Sequence, residues 1–352
     1  MDVDRPRRAV SDPIGVGLVG FGIAGRVFHS PLLTSLPEFD LRVVADRRDP
    51  GIRERLPHVR VAPDLTSLLR DDAVELVIIA TPNATHARLA THALRSGRHV
   101  VVDKPFTPTV READRLIALA RSTGRVLSVF HSRRWDDDFQ TVREVVSSGR
   151  LGRVRRYIAR FEFLAHPVAD DWRRTPGPGS GLLFDVGSHL IDQAVALFGL
   201  PRAVTARLTA ADGRPDHAFV LLLDHGDVEV ILLGSERTVL AGPTFEVHGE
   251  YGSLVVEGGR DGQERVLDAG LGPFAPIGPA APARLVRQTG RATTVASVPR
   301  ASTTYASYYR ALARAIRDGI DPPVTAEAAR DTIRVIEAAH RSARTGRTVQ
   351  LD

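Results

Sequence analysis

Residues 14–20, a short apolar run rich in Ile, Val and Leu, lead directly into Gly20-Phe21-Gly22-Ile23-Ala24-Gly25, after which the sequence takes up helical spacing. A G-x-G-x-x-G alone is a weak signal in a chain with 30 glycines. A strand before it, a helix after it and an acidic residue about 20 positions on turn it into a dinucleotide-binding fingerprint. Asp46, at the end of the next apolar run, supplies that acid. Gly20 permits the sharp turn, Gly22 lets the main chain approach a pyrophosphate, and Gly25 lets the helix sit against the strand. Free N–H groups at the helix start then face phosphate oxygens.

Several neighbours join this candidate cofactor site. The Asp46 carboxylate suits the ribose hydroxyls of NAD, whereas Arg47 and Arg48 beside it suit the extra phosphate of NADP, so both dinucleotides stay open. Thr81-Pro82-Asn83 ends the fourth apolar run, where cofactor-facing loops of such sheets lie, and His86 opens the helix behind it. The same residues would equally make an ordinary turn with a helix cap. Pro31 falls inside the first helix and predicts a kink near His29 and Ser30.

From 13 to about 131, apolar runs at 14–20, 41–45, 59–62, 75–80, 99–102 and 126–130 alternate with helical stretches such as 85–96 and 108–122. Such alternation predicts parallel strands joined by crossover helices, a doubly wound Rossmann sheet in a first domain over 1–131. Longer runs at 154–163, 203–210, 217–224, 228–233 and 245–256 predict an open, mostly antiparallel sheet. Helices are predicted over 182–198, after the turn-rich Pro176-Gly177-Pro178-Gly179-Ser180-Gly181, and over 303–317 and 325–342. Residues 258–299, rich in Gly, Pro and Ala, read as an irregular loop with room for short strands. The fold class is therefore α/β followed by α+β. The second domain, 132–352, would bind substrate and form oligomers, and its helices at 303–342 are candidates to pack back on the first domain.

Composition narrows the chemistry. With no cysteine, disulfides, thiolate metal sites and a thiol nucleophile are impossible. The histidines are scattered without helical metal-ligand spacing, so no metal site is expected. The net charge of +5 is spread among acids along the chain, which argues against nucleic acid as a partner. No export signal or membrane span is legible, and a cytoplasmic location is expected.

Among 47 basic residues only Lys104 is a lysine. Arginine meets every other need for positive charge here, but a guanidinium cannot release a proton near neutrality. Lys104 lies at the carboxyl end of the fifth predicted strand, the edge where open α/β sheets bind ligands, and is a candidate catalytic group and, with Asp103 before it, a candidate cofactor contact. The helix over 182–198 carries Asp185, His189 and Asp192 at i, i+4 and i+7, on one face. A carboxylate one turn from an imidazole can fix its tautomer, as a general base needs, although a satisfied core histidine is the plainer alternative. His131-Ser132-Arg133-Arg134-Trp135-Asp136 begins the second domain, so His131, Arg134 and Trp135 are candidates to face an interdomain cleft, or a polar linker. Trp172, with Arg173 and Arg174, would line a pocket for a hydroxylated substrate or cap the core.

These residues together resemble the Gfo/Idh/MocA family of NAD(P)-dependent oxidoreductases, over essentially the whole chain. Phe28-His29-Ser30-Pro31-Leu32, Ser128-Val129-Phe130-His131-Ser132-Arg133-Arg134-Trp135-Asp136 and Asp185-Val186-Gly187-Ser188-His189-Leu190-Ile191-Asp192-Gln193 are similar to the branch that contains NADP-dependent scyllo-inositol 2-dehydrogenases. The resemblance implies a catalytic set of Lys104, Asp185 and His189, with Asp103 where the family usually has Glu. It implies hydride exchange between nicotinamide and a secondary alcohol of a cyclitol or sugar. The open antiparallel sheet leaves one face needing cover, so a homodimer or homotetramer is expected. Asp46 departs from that branch, which tends to carry a small neutral residue there and favours NADP. Related members that cleave glycosidic bonds without net redox change, and a non-catalytic dinucleotide or sugar sensor, are the alternatives.

Overall fold

The computed structural model describes residues 12–48, 51–165, 172–211, 213–258, 266–267, 269–270, 272, 274 and 281–351. Six strands, β1 (Ile14–Val19), β2 (Phe39–Ala45), β3 (Arg60–Ala62), β4 (Leu76–Ile79), β5 (His99–Asp103) and β6 (Leu127–Phe130), form one parallel sheet in the order β3-β2-β1-β4-β5-β6. Every residue of β1 is buried, as a central strand covered on both faces must be. The order reverses between β1 and β4, which opens a crevice at their carboxyl ends.

The first helix departs from ideal geometry where Pro31 predicts it. Ala24–His29 is π-helical, with the Ser30 N–H bonded to Gly25 O, and α1 (Ser30–Ser35) continues it. Proline offers no N–H to the carbonyl four residues back, so the turn widens instead of closing. Helices α2 (His86–Arg95) and α3 (Val110–Thr123) cross over between later strands. Thr109 caps α3 by accepting the Glu112 N–H at 3.3 Å while donating to its carboxylate at 2.8 Å.

The second sheet holds β7 (Val154–Glu162), β8 (Ala203–Ala210), β9 (Asp216–Asp224), β10 (Glu229–Ser235), β11 (Phe245–Gly249), β12 (Gly252–Val256), β13 (Ala283–Thr289), β14 (Ala292–Val298) and β15 (Val349–Gln350). Among the described residues its order is β14-β13-β12-β11-β7-β10-β9-β8-β15, antiparallel except for β7 with β10. On β9 alternation is clear: Phe219, Leu221 and Leu223 are buried while Val220 and Leu222 are exposed. Helices α4 (Asp137–Ser147), α5 (Ser188–Phe198), α6 (Ala306–Asp318) and α7 (Ala326–Thr345) complete the fold.

The structure revises four sequence expectations. The run 245–256 is two strands, because Glu250 and Tyr251 turn the chain back, with Glu250 bonded by Arg153 and Arg155. Within 258–299, β13 and β14 form a hairpin, and most of 259–280 lies outside the described residues. Helix α4, which buries Phe139, Val142 and Val145, has a pattern too short to stand out in the sequence. The helix over 182–198 is π-helical at Leu183–Gly187 before α5 begins. Helix α6 and the segment leading into α7 also touch the first sheet: Tyr308 donates to Ser128 Oγ on β6 at 2.9 Å, and Ser128 donates to the Val324 carbonyl at 2.7 Å.

Candidate active site

The glycine turn has the geometry a pyrophosphate requires. Gly20 has φ +95°, and a Cβ there would lie 2.3 Å from Ala80 O. A Cβ on Gly25 would lie 2.2 Å from Gly20 O, so helix and strand approach as closely as glycine allows. A Cβ on Gly22 would meet nothing within 4 Å, which leaves open space where a ligand would approach. These residues fit a dinucleotide phosphate. Asp46 braces the turn: one carboxylate oxygen accepts the Phe21 N–H at 2.9 Å and the other the Arg48 N–H at 2.9 Å. The Phe21 ring is buried, whereas Arg47 and Ile23 are exposed.

Between the two domains lies a cavity of about 360 Å³. Asp103 and Lys104 reach it from the end of β5, Ile23 and Ala24 from the glycine turn, and Asp185 and His189 from the second domain. Lys104 Nζ crosses the cleft and donates to the Asp185 carbonyl at 2.6 Å and to Asp185 Oδ1 at 2.8 Å. Arg173 Nε lies 3.4 Å from the same Oδ1. Burial pushes the Asp185 carboxyl up, but Lys104 and Arg173 outweigh burial and hold it below the usual carboxylate range. His189 is 8% exposed and its Nδ1 makes no hydrogen bond. Burial, then the positive charge of Lys104 and Arg133, pushes its imidazole well below the ordinary histidine value, so the ring is neutral at pH 7.

Here the expected pairing changes. Asp185 bonds Lys104 instead of orienting His189. An ammonium offers a charge-assisted bond that a neutral ring does not, and the π-helical turn carrying Asp185 breaks the 3.6-residue spacing behind the i, i+4 argument. The third residue of that helix face, Asp192, is bound by Arg134 through two 2.7 Å bonds, and both are largely buried.

Four expected substrate contacts are not in the described cavity wall. Arg134 is committed to Asp192; His131 is 1% exposed, its Nε2 3.7 Å from Asp192; Trp135 packs edge-on against Tyr308; Trp172 lies against the Arg173 guanidinium. Arg133 takes the place of its neighbour in the cavity. Two expected cofactor residues are interior braces. His86 is fully buried, its ring nitrogens 2.9 Å from Pro105 O and 2.8 Å from Thr81 O. Asn83 donates to Gly179 O at 2.7 Å and so ties the domains together. Thr81 bonds Thr85, and Pro82 is exposed.

Asp216 and Glu236, which no motif signals, line the cavity from β9 and from just beyond β10. Asp216 Oδ2 accepts the Leu183 N–H at 2.7 Å, and Arg174 holds Glu236 at 3.1 Å. Alternating burial on a sheet face is the only sequence signal that could have found Asp216, and it does not distinguish a ligand-facing carboxylate from a solvated one.

Neutral buried imidazoles make acid a stability problem. Burial lowers His131 to about 4 and His99 to about 4, and lowers His86 and His189 as well. Below the ordinary value of 6.5 the unfolded chain takes up protons that the folded chain refuses, so stability is complete above pH 6.5 and is lost toward pH 4. Each such ring contributes up to about 1.4 kcal/mol per pH unit. The thermal midpoint is expected to fall steadily over that window; a flat profile would contradict the buried neutral rings.

Residues 14–131 match the oxidoreductase family, NAD-binding Rossmann fold, GFO_IDH_MocA, and residues 139–255 match the GFO/IDH/MocA C-terminal domain. The chain is 37% identical to the scyllo-inositol 2-dehydrogenase (NADP(+)) IolW of Bacillus subtilis, over 98% of each protein. It is 30% identical to the D-xylose 1-dehydrogenase (NADP(+)) 2 of Haloferax volcanii, over 81% of this chain and 83% of that one. The solved structure of the oxidoreductase yvaA from Bacillus subtilis superposes with a TM-score of 0.92 at 36% identity, covering 98% of this chain and 100% of that one. A Rossmann sheet with its phosphate turn, a second sheet domain and matches across both make the chain an oxidoreductase of the Gfo/Idh/MocA family.

Proposed function

We propose that this oxidoreductase interconverts a secondary alcohol and a ketone of a neutral cyclitol or sugar, with Lys104 and His189 acting on the reacting oxygen. The observation that carries this reading is the Lys104 ammonium bonded across the cleft to Asp185, in the same cavity as the neutral His189. An ammonium has three N–H donors. Two are taken by Asp185, and the third is left for a substrate oxygen. His189, a neutral imidazole lining the same cavity, can take the hydroxyl proton while Lys104 stabilises the alkoxide-like charge. Asp185 positions the lysine. When bound, the dinucleotide supplies the redox partner.

Charge in the cavity supports a neutral polyol. Lys104, Arg133, Arg173 and Arg174 stand against Asp103, Asp185, Asp216 and Glu236, four cations and four anions, with Lys104, Arg173 and Arg174 held by acids of the same cavity. A wall of donors and acceptors with no surplus charge suits several hydroxyls better than a carboxylate or phosphate. The scyllo-inositol and D-xylose dehydrogenases among the relatives support the same class. A spectrophotometric screen of inositols, aldoses and sugar acids with NAD and NADP tests it. NAD(P)H formation is expected with a neutral polyol; none with any of them would sink the reading. The exposed Val220 and Leu222 on the outer face of β9 support self-association, which sedimentation analysis checks.

Choice of dinucleotide turns on Asp46. Replacing it with serine keeps an acceptor for the Phe21 N–H but removes the negative charge beside Arg47 and Arg48. The ratio of kcat/KM for NADP over NAD is expected to rise by about tenfold or more, the scale of one like-charge contact removed. An unchanged ratio would mean that Asp46 serves only as a brace.

A further inference from the structure

Behind Lys104 lies a line of buried polar groups that the reaction outlined above leaves unused. Tyr309, on α6, and His29, in the π-helical turn, are both fully buried, with the Tyr309 hydroxyl 2.6 Å from His29 Nδ1. The opposite nitrogen, Nε2, makes no hydrogen bond and lies 3.6 Å from Asp103 Oδ1. Around them are rings: His29 packs 4.6 Å from Phe130, and Tyr309 packs edge-on against Phe39 and Tyr308. Apolar side chains would fill that space without the cost of burying polar atoms, so a phenol and an imidazole there need a reason beyond packing.

Partners dictate direction along this line. Nε2 faces a carboxylate, which can only accept, so the ring proton belongs on Nε2. Nδ1 is then an acceptor, and the Tyr309 hydroxyl donates to it. Asp103, the last residue of β5, immediately precedes Lys104 and lines the cavity, its side chain 17% exposed.

We propose that Tyr309 and His29 are positioning residues: with its Nδ1 bonded to Tyr309, the His29 ring aims Nε2 at Asp103 and keeps that carboxylate at the cavity wall beside Lys104, while Asp185 bonds the Lys104 ammonium from the second domain. The proposal rests on the assignment of Lys104 as the group that bonds the reacting oxygen. It explains why α6, which contributes nothing to the cavity wall described above, places a buried hydroxyl against the imidazole that faces the end of β5.

Ionisation of Asp103 gives the test its sign. The groups facing it are Lys104, which follows it in the chain, His29, His86 on α2, His131 after β6, and Tyr308 and Tyr309 on α6. Burial pushes the carboxyl up, but His29, then Lys104 and His86, hold it below the usual range. Removing His29 leaves burial less opposed, so Asp103 takes up a proton at a higher pH.

The full chain is compared with His29→Leu, His29→Gln and Tyr309→Phe by two readouts. In the free protein, 15N spectra of labelled histidine are expected to show His29 protonated at Nε2, with Nδ1 hydrogen-bonded to Tyr309. With dinucleotide and polyol, the acid limb of kcat/KM is expected to move up by about one pH unit in His29→Leu, the scale of one lost neighbour. Tyr309→Phe, which removes only a hydroxyl and should still fold, is expected to move it less, in the same direction. His29→Gln, whose amide nitrogen can still reach toward Asp103, is expected to restore it. A ring protonated at Nδ1, or pH profiles that match the parent while only the thermal midpoint falls, would overturn the proposal. An Nε2 proton together with no turnover of any polyol would support the buried chain and overturn the dehydrogenase reading instead.

Discussion

Replacing Lys104 with methionine is expected to lower turnover by about a hundredfold or more, the loss associated with an acid–base group, or at least roughly 2.7 kcal/mol of barrier. Methionine has a similar length and no charge, so the strand end that carries it should persist. Asp185 would keep Arg173, 3.4 Å from its Oδ1, and would not be left a bare buried anion. Dinucleotide affinity should change little, because the glycine turn and Asp46 are bonded to each other without Lys104. Fluorescence titration of the dinucleotide beside steady-state kinetics separates the two effects. Parent-like turnover would remove Lys104 from the chemistry, and lost dinucleotide binding would recast it as a cofactor ligand.

A second large effect is expected at a pair outside the described cavity wall. Arg134→Met strips both 2.7 Å bonds from Asp192, whose side chain is 2% exposed, and leaves it only His131 Nε2 at 3.7 Å. Breaking one side of a buried ion pair costs about 3–5 kcal/mol, because the remaining charge has neither water nor a partner. In a chain of this size that lowers the thermal midpoint by on the order of ten degrees. Arg134→Met combined with Asp192→Leu should recover much of the loss, since no unpaired charge remains. Thermal unfolding of the three variants checks the pair. A normal midpoint in the single variant with a raised KM for substrate would return Arg134 to the role of a substrate contact.

Legibility in the sequence followed the range of the interactions involved. The glycine turn could be read because all three glycine roles lie within six residues and depend on main-chain geometry alone. The strands of the first sheet could be read because a strand buried on both faces must be apolar throughout. Asp185 was legible as a functional candidate, but its partner was not: Lys104 is 81 positions away, and nothing local distinguishes an acid that meets an amine from one that steadies an imidazole. The hairpin of β13 and β14 was obscured for the opposite reason, since β14 is mostly exposed and lacks the apolar alternation that marks a half-buried strand.

Composition and local order thus decided that this chain would build a dinucleotide-binding sheet and would hold one titratable amine at its ligand edge. Packing of the second domain against that edge decided the rest: which carboxylate the amine meets, that His189 is kept neutral, and that Arg134 is spent on Asp192 while Arg133 faces the cavity. Those outcomes depend on desolvation and on charges brought together from distant parts of the chain, and both exist only once the two sheets have closed on each other.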